Sequence, residues 1–139
     1  MTRHELRDRS FKLLFRKEFN SPEDMPEQVR LFCSDPEHGT SQDEDSEFVR
    51  ARYENIVSRL EEIDAIIDDN AEGWKTDRMG KVELSLLRLA VYEMCFDDDI
   101  PTAVAMDEAV ELAKTYGQEN SGAFVNAILT KVKGSKKLD

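Results

Sequence analysis

Residues 49–67 read VRARYENIVSRLEEIDAII, and their spacing decides the fold class. Val49, Tyr53, Ile56, Leu60, Ile63 and Ile67 recur at intervals of 4, 3, 4, 3 and 4, the apolar seam of a long α-helix. Val57 and Ile66 broaden the seam, so this helix is expected to pack in a bundle rather than in a two-stranded coiled coil. Arg50, Arg59, Glu61, Glu62 and Asp68 fall on the other side and read as a solvated face. Asp69, Asn70 and Gly73 end the element near residue 70.

Helical patterns continue on both sides of this segment. After Trp74, residues 78–96 are apolar almost all the way round, which marks a helix buried on most sides. Its exceptions, Glu83, Ser85 and Arg88, must reach an edge or find partners, because a buried unpaired charge is costly. An acidic turn at Asp97-Asp98-Asp99 precedes a helix over 102–116, with Gly117 as its stop, and a last helix starts near Asn120-Ser121. Upstream, Ser21 as N-cap and Pro22 at the first helical position open a helix running to about Cys33. The polar stretch SDPEHGTSQDEDS (34–46), which contains His38, reads as a loop.

The first segment, about 3–19, puts Phe11, Leu14 and Phe15 on one face and Arg9, Lys12 and Arg16 on the opposite, solvated face. Arg3 and Arg7 continue the apolar sector of Leu14 towards the N-terminus. A helix overhanging the body would hold both guanidinium groups beside the packed face, as phosphate or base contacts; the alternative is a frayed terminus in water.

Net charge is −11, which by itself argues against nucleic acid, but the charge is segregated. Residues 1–20 carry +3, residues 131–139 carry +3, and the 110 residues between them carry −17. Two basic ends on an acidic body are compatible with a confined anion-binding edge, or simply with solubilising tails.

The residues that carry chemistry elsewhere are missing from the sequence. It has no Gly-rich phosphate loop, H-E-x-x-H, C-x-x-C or G-x-S-x-G, and its two histidines, His4 and His38, stand apart. Cys33 and Cys95 sit at apolar helical positions and read as small buried hydrophobes, so neither a disulfide nor a metal is expected. Catalysis, a cofactor and a membrane span are not expected either. The longest apolar run, Leu84 to Phe96, is interrupted by charge and too short for a bilayer. The opening residues carry charges throughout, with no secretory h-region, which places the chain in the cytoplasm.

One resemblance gathers these observations. WKTDRMGKVELSLLRLAVYEM (74–94) and PTAVAMDEAVELAKTYGQENSGAFVNAIL (101–129) are similar to the NusB family of bacterial transcription antitermination factors. The specific pieces are Val82-Glu83 with Leu87-Arg88-Leu89-Ala90 and Tyr92-Glu93, then Asp107-Glu108-Ala109 with Leu112-Ala113-Lys114, and Phe124-Val125-Asn126. The first 73 residues match more loosely, through the basic first helix and the long third one.

The resemblance implies an all-α bundle of about six to seven helices in two small lobes, 1–72 and 73–139, together one domain. It implies a non-enzymatic adaptor that binds boxA single-stranded RNA of nascent transcripts together with NusE, a ribosomal protein. That assembly joins the elongating RNA polymerase, notably on ribosomal RNA operons. Arg3, Arg7, Phe15, Phe124 and Asn126 then correspond to RNA contacts, and Glu83 and Arg88 to the partner surface. For Phe15 and Phe124 core packing stays an equal alternative, and Arg88 reads first as a structural ion-pair partner. A protein-only interaction module is the alternative function, and a homodimer hiding its RNA surface is a third.

Overall fold

A computed structural model describes residues 1–34 and 43–139; residues 35–42, which hold His38 and most of the expected 34–46 loop, lie outside the described residues. Among the described residues there are seven α-helices and one short 3-10 turn, and no strand. They are α1 (Arg3–Lys17), α2 (Met25–Ser34), α3 (Asp43–Ser58), α4 (Leu60–Asp69), α5 (Lys81–Phe96), α6 (Thr102–Tyr116) and α7 (Ser121–Ser135), with the 3-10 turn Thr76–Arg78 before α5. The contacts cluster in two compact units, Met1–Ser58 and Arg59–Asp139.

In the first unit α1, α2 and α3 pack on one another. Phe11, Leu13 and Leu14 of α1, Val29 and Phe32 of α2, and Val49, Tyr53 and Ile56 of α3 are buried. The second helix begins at Met25, later than the Ser21-Pro22 signal suggested. Ser21 does cap a turn, accepting from the Asp24 N–H at 3.3 Å on its hydroxyl, but Pro26 has no N–H to carry the ladder onward from there. Conversely, α3 starts at Asp43, so the end of the expected loop is helical, with Glu44 and Asp45 in the first turn where the helix dipole favours acids. The N-terminal ammonium pairs with Asp45 at 3.2 Å.

The long 49–67 seam is two helices, not one. Arg59, at φ −115° and ψ 18°, leaves helical geometry between α3 and α4. The Ser58 hydroxyl donates to the Asn55 carbonyl at 2.8 Å, occupying the oxygen that the Arg59 N–H would have used. The apolar seam continues regardless: Val49, Tyr53 and Ile56 are buried in the first unit and Ile63 and Ile67 in the second. Consequently α4 packs with α5, whereas the sequence reading assigned the whole stripe to the N-terminal lobe.

In the second unit α5 touches α4, α6 and α7, as its all-round apolar pattern requires, and eleven of its residues from Leu84 to Met94 are buried. The polar exceptions have partners. The Ser85 hydroxyl donates to the Lys81 carbonyl at 2.7 Å, and Arg88 pairs with Asp64 of α4. Cys33 is buried and Cys95 half-buried, and burial raises the pKa of both thiols. No group of metal-ligating side chains occurs among the described residues, and no helix among them is long and apolar enough to cross a membrane.

Candidate nucleic-acid interface

In the first unit the candidate surface is built on α1. Its start is fixed by a capping box: the Thr2 hydroxyl accepts from the Glu5 N–H at 3.1 Å, and Glu5 accepts from the Thr2 N–H at 3.0 Å. These bonds favour the charged carboxylate and lower the Glu5 pKa. The first turn is thus held by its own side chains, with Arg3 and His4 exposed on it. Arg7 is only 6% exposed, and Asp8 beside it is also buried. The face expected to be solvated is half-buried instead. Arg9 and Lys12 converge on one Asp8 oxygen at 2.9 and 3.1 Å, while Arg16 lies 5.1 Å from the Phe32 ring centre and donates to Gln28. Phe15 is half-buried between Phe11, centroids 6.0 Å apart, and Phe19, 5.0 Å away and edge-on.

In the second unit the candidate surface lies where the N-termini of α5 and α7 meet the segment before α5. The Ser121 hydroxyl donates to a Glu83 carboxylate oxygen and accepts from the Gln118 N–H at 2.8 Å, joining the two helix starts. Glycines make room for this. A Cβ at Gly117 would come within 2.5 Å of the Ser121 hydroxyl oxygen and 2.7 Å of the Ala113 carbonyl. Gly117 has φ −95°, so its role is close approach, not the left-handed helix stop that the sequence suggested. Trp74 follows Gly73, whose φ of +74° makes the turn off α4. Asp68 pins this segment by accepting from the Thr76 N–H at 2.7 Å, so it is not merely part of a solvated face. Trp74 then meets Phe124 of α7 edge-to-face, with ring centres 6.5 Å apart.

Two grooves share this aromatic pair. One, of about 390 Å³, is bounded also by Arg78, Glu83, Gln118 and Ser121; the other, of about 170 Å³, by Asn70, Ile128 and Lys131. An aromatic wall beside carboxylate, amide and guanidinium groups can hold a flat heterocycle and hydrogen-bond its edge.

The NusB family model matches residues 4–133. The chain belongs to the NusB family. A relative from Agathobacter rectalis, a transcription antitermination protein NusB, is 47% identical over 131 residues, covering 94% of this chain and 98% of the relative. A solved structure of T. maritima NusB superposes with a TM-score of 0.81 at 36% identity, covering 96% of this chain and 92% of the other. A crystal structure of the antitermination factors NusB and NusE in complex with double-stranded RNA gives 0.79 at 28% identity, with 96% of each chain covered.

Within this NusB-family chain, the structure brings together only some of the residues singled out from sequence. Glu83 and Phe124 line one groove. Asn126 is exposed but lies outside both grooves, since two residues on a helix turn it roughly 200° from Phe124. Arg88 is 7% exposed, with its guanidinium fork on Asp64. Arg3 and Phe15 lie on α1 of the first unit, and Arg7 is buried there. Sequence reasoning gave Trp74 no role, although it opens the stretch 74–94 that carries the resemblance. It also missed Phe19, although Phe11, Phe15 and Phe19 stand at the spacing of four that stacks rings along a helix.

Proposed function

We propose that this chain is a transcription antitermination factor that binds boxA RNA of nascent transcripts together with NusE and joins the elongating RNA polymerase. The carrying observation is the match to the NusB family along nearly the whole chain, with the same fold as a NusB that is bound to NusE and RNA. It acts as an adaptor rather than an enzyme, in the cytoplasm where transcripts emerge; the absence of a catalytic motif from the sequence supports that reading.

Each proposed contact has a chemical rationale. Arg3, exposed on a capped first turn, offers its guanidinium to phosphate. Arg7 adds a positive charge near the same end, with 6% of its surface exposed. Phe15 and Phe124 each present part of a ring for stacking, and Asn126 offers an amide without a competing hydrogen bond among the described residues. Glu83 accepts from a base amine or a partner donor. Arg88 supports the partner surface indirectly, by holding α5 to α4.

Fluorescence anisotropy of a labelled boxA RNA, with and without NusE and against a scrambled RNA, tests the proposal. Selective binding that tightens with NusE is expected. Equal, weak binding of both RNAs in both conditions overturns the RNA reading and leaves a protein-only adaptor.

A further inference from the structure

Trp74 is the single tryptophan of the chain, and it is 56% exposed. A residue of this size gains most by burial, and here more than half of it is left in water. The surrounding structure holds it there: Gly73 makes the turn, the Trp74 N–H donates to the Ala71 carbonyl at 3.0 Å, and Asp68 anchors Thr76. Phe124 supports it from one side at nearly a right angle, 87°. The backbone that carries the ring is therefore fixed before any ligand arrives, which reduces the ordering that opposes binding.

The groups around the pair match the edges of nucleobases. Glu83 is an acceptor when ionised, Gln118 and Asn120 can donate and accept, and Arg78 donates. The side chains of Arg78, Gln118 and Asn120 are exposed and make no hydrogen bond with the described residues. On the other side of the wall Lys131 contributes a positive charge, 3.8 Å from an exposed Glu72 carboxylate.

We propose that Trp74 is a base-stacking platform for single-stranded RNA, with successive bases lodging on the two sides of the Trp74–Phe124 wall. This rests on the RNA-binding reading above and adds to it a contact point that the sequence reading did not assign. The base on the Glu83 side turns an N–H towards the carboxylate, an exocyclic amine of adenine, cytosine or guanine or the ring imino N–H of uracil or guanine, because a carboxylate accepts.

The lone tryptophan makes the test specific to this residue. Unlabelled boxA RNA is titrated while Trp74 emission is followed, and anisotropy of a dye-labelled copy reports binding separately. Emission quenched with the same midpoint as the anisotropy change is expected. Trp74→Ala is expected to weaken binding by roughly five- to 150-fold, the range for loss of one stacked base. Trp74→Phe, which keeps a ring, stays close to the parent. RNA binding with unchanged emission and an unaffected Trp74→Ala variant overturns the stacking role and leaves the RNA reading intact. An emission change on adding NusE alone, with none on RNA, overturns it too and makes Trp74 a protein contact. No RNA binding by any form overturns both.

Discussion

Arg88 and Asp64 meet fork to fork: Nε donates to one carboxylate oxygen and Nη2 to the other, each at 2.9 Å. The arginine is almost fully enclosed in α5, while the aspartate on α4 keeps about a quarter of its surface, 23%. The pair therefore bridges α4 and α5, and its geometry matters more than its count as a salt bridge.

Asp64→Ala is expected to cost about 2 kcal/mol, below the range for a fully buried pair because Asp64 is partly wet. Urea unfolding of the single variants and of Asp64→Ala with Arg88→Met checks this. The double variant should recover part of the loss, since it removes the stranded charge.

Two glycines are expected to respond in opposite directions. Gly117→Ala drives a Cβ against the Ala113 carbonyl and Ser121, and should lower stability by about 1–3 kcal/mol. Gly134→Ala, near the end of α7 with nothing within 4 Å, should raise it by about 0.5 kcal/mol. Thermal melts of both variants check the pair.

Acid should loosen the start of α1. The Glu5 pKa is lowered in the folded chain, so its cap is fully present above the ordinary glutamate value of about 4.3 and is lost as pH falls through the lower folded value. Amide exchange in the first turn should accelerate over that window. Glu5→Gln keeps an acceptor without the titration and should flatten the response.

Both thiols should react slowly at neutral pH, because burial raises the pKa of each and thiolate is the reactive form. A thiol reagent should modify Cys33 and Cys95 rapidly only in denaturant.

If about three basic groups meet phosphates, RNA affinity should fall with salt at a log–log slope near −2. Arg3→Ala should reduce the slope by about 0.7 and leave melting unchanged, as the side chain is exposed. From sequence alone Arg7→Ala should also spare the fold. Its burial reverses that expectation, and lower thermal stability should accompany any loss of binding.

Helix content and the central place of α5 could be read from periodicity, because those depend on which residues must leave water. The break at Ser58–Arg59 could not, since the apolar seam passes through it unaltered and one serine hydroxyl redirects the backbone. The same holds at the candidate site. Glu83 and Phe124 are recognisable in motifs, but their meeting with Trp74 depends on a turn of positive φ and on the close approach of Gly117 to Ser121. Asn126 shows the converse: two letters from Phe124 in a motif, it faces another direction on the helix.

The helix break at Arg59 has a consequence for how the molecule comes apart. A continuous helix would tie both halves into one melting event through its own backbone ladder. With the ladder cut, amide exchange is expected to report separate opening free energies for α1–α3 and α4–α7. The N-terminal arginines and the aromatic wall lie in different units, so a destabilising change in one is expected to spare exchange protection in the other.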